Sequence, residues 1–173
     1  MQRSYFLGGA SPTGFTTSFW AEHRGYYGYY LKGGPGTGKS TLMKKIAAAF
    51  SDETISCWHC ASDPHSLDAV VLEDRGVFIA DATAPHESST QLPFVTGETV
   101  DLAAGLSPEP LRANQTEILR LWQENRAAHR QAQKGLAGIA EMEAMIADAA
   151  APALQKEKLC GFAARLGKRL ISR

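Results

Sequence analysis

Residues 33–40 read Gly33-Gly34-Pro35-Gly36-Thr37-Gly38-Lys39-Ser40, and this stretch decides the predicted fold. Its four glycines let the backbone curl so that successive N–H groups point inward at a phosphate chain. Lys39 supplies a positive charge for the β and γ phosphates, and the Ser40 hydroxyl is placed to ligate Mg²⁺. We call residues 33–40 the glycine loop. We expect its eight residues, together with Thr41, to bind a nucleoside triphosphate.

The segments on either side of the glycine loop have the character that this chemistry requires. Residues 26–31 read Tyr-Tyr-Gly-Tyr-Tyr-Leu, which favours a β-strand. Residues 41–50 carry apolar side chains at helical spacing. A strand, the loop and a helix in this order would direct the helix N-terminus at the phosphates and add its dipole to the charge of Lys39.

The composition limits the class of protein. The chain has 173 residues, enough for one domain with a sizeable core, and its 18 basic and 18 acidic side chains give no net charge. No whole-molecule field would therefore recruit nucleic acid or an anionic membrane. The chain opens without an apolar run long enough for a signal peptide or a membrane span, and its three cysteines favour a reducing compartment over a disulfide framework. These features predict a cytoplasmic α/β protein.

Further strands are predicted at residues 54–60, 77–81 and 95–102, although Gly97 weakens the last of them. Residues 68–73 fit either a short helix or an edge strand. These three or four strands alternate with helical stretches, which is typical of a parallel, doubly wound sheet flanked by helices. We expect a minimal or incomplete core, because sheets usually have five or so strands.

A second nucleotide motif is predicted at residues 77–81, where four apolar residues precede Asp81. A buried strand beside the strand of the glycine loop would deliver this acid to the Mg²⁺ ion, directly or through water. Ala82 follows where many ATPases carry a glutamate that polarises the attacking water, so that base must come from elsewhere. The loops after parallel strands line such sites, and the candidates there are Asp63, His86 and Glu87.

Residues 57–60 read Cys-Trp-His-Cys and could suggest a metal site. The two-residue period of a strand, however, puts Cys57 and His59 on one face and Cys60 on the other. Structural zinc also needs a second pair of ligands, and the sequence has no other CxxC or HxxxH pattern. We therefore favour buried cysteines in a core strand. The following Asp63-Pro64 pair predicts a turn that presents polar residues to the nucleotide.

The composition changes to Ala, Gln, Glu, Arg and Leu near residue 107, which divides the chain into a nucleotide-binding core at 1–106 and a helical arm or hairpin at 107–173. Ser107-Pro108-Glu109 is typical of a helix start, and Pro152 predicts the start of a final helix. Apolar residues between 111 and 146 follow an approximate heptad stripe. Helices packed on the core and a projecting coiled coil fit this pattern equally well.

The final helix is basic and amphipathic. Leu159, Phe162, Leu166 and Leu170 line one face, and six cations stand against the single acid Glu157. Such a helix can bind a membrane surface, nucleic acid or a partner. The interpretation we favour is a packed helix with a solvated charged face.

Several blocks of the chain together resemble a known family. They are residues 5–15, the glycine loop with residues 40–46, and residues 59–64, 66–70 and 81–86. In this order they resemble an uncharacterised, Firmicutes-type family of bacterial P-loop ATPase-like, ATP-binding proteins, over approximately residues 4–102. The resemblance implies a P-loop NTPase fold and ATP binding, and it marks candidate site residues without assigned roles at His59, Asp63, Asp68, Thr83 and His86.

The chain departs from this family in two respects. Members usually carry a glycine after the acid that corresponds to Asp81, where this chain has Ala82. Members are also longer, with a second P-loop module after the helical region, and this sequence stops at Arg173. The resemblance therefore implies a fragment or a natural half protein, with a second module or subunit reached through the helical arm as its partner.

These features predict an ATPase, or an ATP-driven switch, with Lys39 on the phosphates and with Ser40 and Asp81 on Mg²⁺. A small-molecule or nucleotide kinase is an alternative, in which residues 63–68 and the region of His86 bind an acceptor. Against it, the first hundred residues hold only three arginines for a lid over the phosphates. A third possibility is a nucleotide-binding half module that does not hydrolyse ATP alone. The sequence contains no Asn-Lys-x-Asp guanine signature, which favours ATP over GTP.

Overall fold

The computed structural model describes residues 1–84 and 87–171. The strands are β1 (Gln2–Phe6), β2 (Gly9–Ser11), β3 (Gly14–Thr16), β4 (Tyr27–Lys32), β5 (Ile55–His59), β6 (Leu67–Leu72), β7 (Val77–Asp81) and β8 (Gly97–Asp101). The α-helices are α1 (Phe19–Glu22), α2 (Lys39–Ala49), α3 (Pro108–Ala113), α4 (Gln115–Ala150) and α5 (Lys156–Ile171). Short 3₁₀ turns cover Glu73–Arg75, Leu102–Gly105 and Ala151–Ala153.

Six strands form one sheet in the order β1-β5-β6-β7-β4-β8, and β2 and β3 form a separate hairpin. The expected α/β class is confirmed, but the expectation of a wholly parallel sheet is wrong, because β6 runs antiparallel to both of its neighbours. The remaining neighbours in this sheet are parallel. The connections on either side of β6 explain its direction. A parallel crossover needs a dozen or more residues, whereas residues 60–66 and 73–76 are long enough only for hairpin turns.

The ambiguous segment 68–73 is therefore neither a helix nor an edge strand. All six residues of β6 are buried, since the strand lies in the middle of the sheet and is covered on both faces. Strands covered on both faces carry continuous apolar runs, which hides the alternation that would identify them in a sequence. With β1 the sheet has six strands rather than three or four, so the core is not minimal. The five residues of β1 are all exposed, and its two apolar side chains, Tyr5 and Phe6, are adjacent and give no strand alternation.

The two faces of the sheet bury different partners. On one face, Met43 of α2 packs against Leu31, Ile55 and Val70. On the other, Phe19 of α1 packs among aromatic and aliphatic side chains that include Leu7, Trp58, Val71 and Phe78. Adjacent residues of β6 serve opposite faces, as the two-residue period of a strand requires. This sandwich fixes β4, β6 and β7, the three strands from which the site is built.

The helical arm begins as predicted, with Ser107 before α3, but Asn114 lies outside both helices and separates α3 from α4. With 36 residues, α4 is about 54 Å long. It contacts β2, and an ideal Cβ placed on Gly34 would come within 3.0 Å of Trp122. The last helix starts at Lys156, four residues after Pro152, which lies in a 3₁₀ turn instead. No helix in the described part of the chain is long and apolar enough to cross a membrane.

Candidate functional site

The glycine loop connects β4 to α2, at the carboxyl end of β4. Gly36 and Gly38 have φ angles of 81° and 90°, in the left-handed region that side chains disfavour. An added Cβ would meet no atom within 4 Å at either position, so the backbone conformation and not crowding requires glycine there. Gly38 is the N-cap of α2, so the loop delivers the chain directly to the positive end of that helix.

A cavity of about 410 Å³ opens above this loop. Its walls are Gly33 and residues 35–41, then residues 66–68 where β6 begins, and finally Asp81, Thr83 and Ala84 where β7 ends. All the residues predicted to bind the cofactor therefore line it except Gly34. The antiparallel direction of β6 matters here, since it brings the start of that strand to the edge where β4 and β7 end.

The Lys39 ammonium group sits within the loop that precedes it. Its Nζ donates to the carbonyl oxygens of Gly33 at 2.5 Å and Gly34 at 3.1 Å, and lies 3.5 Å from Oδ2 of Asp81. These three partners match the three donors of an ammonium group. Both charged side chains are largely buried, at 11% and 16% exposed. The loop thus holds a positive charge, neutralised by one acid, at the floor of the cavity.

Asp81 is positioned from both sides. Strand β7 pairs in parallel with β4, with Asp81 opposite Leu31, so the predicted adjacency of these two strands is confirmed. The Oδ1 atom accepts a hydrogen bond from the backbone N–H of Thr83 at 2.8 Å. The Thr83 hydroxyl in turn donates to the Gly33 carbonyl oxygen at 3.1 Å, which ties the end of β7 to the glycine loop.

The Ser40 hydroxyl is oriented from the opposite wall. Its Oγ accepts a hydrogen bond from the backbone N–H of Leu67 at 2.9 Å. The start of β6 therefore touches the first turn of α2. Ser40 and Asp81 both line the cavity and both offer oxygen, the ligand atom that Mg²⁺ prefers.

Asp68 is a candidate site residue to which the sequence assigned no role. It is only 7% exposed, it lies one position after Leu67, and it lines the cavity. Burial raises the pKa of the neighbouring Cys60 thiol, and the charge of Asp68 and a hydrogen bond to it raise that pKa further. The available signal in the sequence was an acid within an otherwise apolar run. This signal was not recognised because residues 68–73 fitted either a short helix or an edge strand.

Of the three residues predicted as water activators, the two that the structure describes do not reach the cavity. Asp63 is exposed and stabilises its own turn, where Oδ1 accepts from the N–H of His65 at 3.1 Å and the carbonyl oxygen accepts from that of Ser66 at 2.8 Å. It does not line the cavity, and neither does the exposed Glu87. His86 lies outside the described residues. The turn predicted at Asp63 is confirmed, but its continuation at residues 66–68 is what reaches the cavity.

The cysteines at positions 57 and 60 have separate surroundings. Cys60 follows β5 and is only partly buried, so the prediction that it lies buried in the strand is wrong. Cys57 is buried in the core, as predicted, and burial raises its pKa. His59 uses its Nδ1 in a 2.7 Å contact with the Pro64 carbonyl oxygen, which closes the turn after β5. Within residues 1–84 and 87–171, no group of three or more His, Cys, Asp or Glu side chains is arranged to hold a metal ion.

Trp122 connects the arm to the site. Its indole ring lies over Gly34, with the ring atom Cζ2 3.0 Å from where a Cβ would be. The contact falls on the one glycine of the loop that does not line the cavity. The arm therefore rests on the outer side of the loop whose inner side faces the cavity.

Comparison of the chain with known proteins finds no matching family model, no matching curated protein and no matching solved structure. The family resemblance therefore stays a prediction.

Proposed function

We propose that this chain binds Mg·ATP in the cavity over the glycine loop and hydrolyses it, with a P-loop NTPase fold as its framework. The observation that carries the proposal is the convergence of Lys39, Ser40 and Asp81 on one cavity beside a loop with left-handed glycines. Two separate elements, α2 and β7, contribute these groups, so a chance glycine-rich turn would not explain the arrangement. The three free cysteines support a cytoplasmic location for the protein.

Phosphate binding would fall to Lys39 and to the backbone N–H groups of the loop and of the first turn of α2. A triphosphate would compete with the carbonyl oxygens of Gly33 and Gly34 for the ammonium donors, because those donors are engaged in this structure. The positive end of α2 adds a favourable field for an anion at the same point.

Magnesium would be held by Ser40 Oγ and the Asp81 carboxylate, directly or through water. The donor set fits this ion, since both atoms are hard oxygen ligands and the remaining positions can be taken by phosphate and water. A bound Mg²⁺ ion would neutralise part of the charge that accumulates on the phosphates.

Asp68 is the residue we propose for activating water. Its carboxylate is buried and lines the same cavity, whereas Asp63 and Glu87 do not. The water oxygen would bond to the γ-phosphorus as the bond from that phosphorus to the β–γ bridging oxygen breaks. The electron pair of that bond leaves with ADP, and the proton of the water passes to Asp68 and then to the released phosphate.

The test is phosphate release from Mg·ATP by the purified chain and by Asp68→Asn. The variant keeps the shape of the side chain but not its basicity, so we expect turnover to fall by about a hundredfold, the usual range for a lost general base. Affinity for Mg·ATP should stay within about threefold of the wild-type value. Asp63→Asn serves as the matched control and should keep full turnover.

The outcomes separate the possible functions. Turnover that survives in Asp68→Asn would remove Asp68 from the mechanism and leave ATP hydrolysis standing. Binding of Mg·ATP without turnover in the wild-type chain would contradict an autonomous ATPase. A phosphorylated product with added small-molecule acceptors would then identify a kinase, and activity only with a second subunit would identify a half module.

A further inference from the structure

Helix α5 presents an apolar face that the rest of the described chain does not cover. Leu159, Phe162, Leu166 and Leu170 follow each other at intervals of three and four residues, which places them on one side of the helix. They are 54%, 57%, 45% and 66% exposed. The interpretation favoured from sequence was a packed helix with a solvated charged face, and within the described chain nothing packs against this face. We call these four residues the α5 stripe.

The charges of α5 are as asymmetric as its apolar side chains. The helix holds five cations against the single acid Glu157, although the chain as a whole is neutral. Lys158, Arg165 and Arg169 recur at intervals of seven and four residues and so form a row beside the α5 stripe. The opposite flank carries small residues at positions 160, 163 and 167, with Lys156 beside them in the first turn.

We propose that α5 lies flat on an anionic phospholipid surface, with the α5 stripe in the lipid and the cation row at the headgroups. The helix is about 24 Å long and carries charges, so it suits the plane of the interface and not a transmembrane path. Long basic side chains that flank an apolar stripe keep their heads in the polar layer while their stems remain with the lipid.

The same features argue against other occupants. Nucleic acid would take the cation row but would leave the α5 stripe in water. A second copy of α5 would cover the α5 stripe, but it would bring two net positive helices side by side, with like charges along the joint. An anionic lipid surface satisfies both features at once. The proposal does not depend on ATP binding, because none of the residues involved lines the nucleotide cavity.

The test is co-sedimentation of the full chain with phosphatidylcholine vesicles that contain about one-third phosphatidylglycerol. We expect binding to these vesicles, weaker binding by about tenfold or more to pure phosphatidylcholine, and loss of binding as the salt concentration rises. Phe162→Ser with Leu166→Ser, and separately Lys158→Gln with Arg165→Gln, should each weaken binding by about tenfold or more. Arg126→Gln with Arg130→Gln removes two exposed cations from α4 and should change nothing.

Circular dichroism checks that each variant keeps its helical content. An environment-sensitive fluorophore on Cys160, in a Cys60→Ser background, provides a second measurement without altering the α5 stripe, and its emission should shift to the blue on anionic vesicles. Absence of binding by the wild-type chain would overturn the proposal. A dimer of the wild-type chain that dissociates in the serine variants would overturn it in favour of a second copy. DNA binding that is lost only in the glutamine variants would overturn it in favour of nucleic acid.

Discussion

Gly97 shows how closely one residue can be fixed by its neighbours. An added Cβ would lie 2.2 Å from the carbonyl oxygen of Gly28, a backbone atom that cannot turn aside. Strands β4 and β8 are in register at this point, with Gly28 opposite Gly97. The glycine that we expected to weaken the strand at residues 95–102 is thus the residue that lets the two strands approach.

We expect Gly97→Ala to lower the free energy of unfolding by about 2 kcal/mol, since overpacking against a fixed backbone costs on the order of 1–3 kcal/mol. Urea denaturation would measure the change. Gly105→Ala is the matched control, because an added Cβ there meets nothing within 4 Å, and its effect should be much smaller. Equal effects of the two substitutions would show that the close approach is not what requires glycine.

At the same scale, the residues of the glycine loop could be predicted because a short contiguous motif carries its own chemistry. Lys39 and Ser40 belong to this motif and Asp81 to the strand motif at residues 77–81, and the structure brings all three to one cavity. Asp68 could not be assigned in this way. Its proximity to the others depends on the direction of β6, which is a property of the whole sheet and not of the residues around it.

At the scale of elements, the lengths of the connections between strands determine strand direction, which the apolar patterns of strands and helices do not reveal. The strand at residues 77–81 and the strand and helix on either side of the glycine loop were predicted from apolar patterns. The reversal of β6 follows from two connections too short for a crossover helix. Strand β1 was missed because its pairing with β5 at the sheet edge leaves all its side chains exposed.

Helix α4 offers a test of communication between arm and site. Since the Trp122 ring rests on Gly34, a change in the loop on nucleotide binding should alter the environment of the indole. We expect Mg·ATP to change the intrinsic tryptophan emission of the chain, and we expect Trp122→Phe to abolish the change. Trp20 and Trp58, which pack around Phe19, remain in that variant as reference emitters.

The affinity of Trp122→Phe for Mg·ATP should remain within about threefold of the wild-type value, because the ring lies outside the cavity. The variant can therefore lose the emission change without losing affinity for Mg·ATP. An emission change that persists in Trp122→Phe would show that the arm does not respond to the loop, and the proposed coupling would then have to be abandoned.

At the scale of the whole molecule, several buried or partly buried groups share one direction of pKa shift. Burial raises the pKa of the Cys57 thiol and of Cys60, and the same cause raises the pKa of Tyr30. The pKa of Tyr26 is raised by desolvation and by the neighbouring Glu73. Each group therefore holds its proton more firmly in the folded chain than its ordinary pKa of 9.0 for Cys or 10.0 for Tyr would allow.

Because the unfolded chain releases these protons first, the free energy of unfolding should fall as the pH rises above about 9. The stabilisation is complete below the ordinary pKa values and is lost as the pH passes the raised ones. Thermal melts from about pH 7 to 11, in the presence of a reductant, should show a Tm that is level at first and then declines. Tyr26→Phe should reduce the slope above about pH 10, and an unchanged slope would exclude Tyr26 as a contributor.

The central claim is that the cavity over the glycine loop binds Mg·ATP through Lys39. Titration calorimetry of the wild-type chain, Lys39→Ala and Lys44→Ala tests it most directly, since Lys44 is an exposed lysine of the same helix. We expect equal affinity in the wild-type chain and in Lys44→Ala, and a loss of about tenfold to a hundredfold in Lys39→Ala, as for a charge-assisted hydrogen bond. Unchanged binding in Lys39→Ala, or no binding by the wild-type chain, would contradict the account.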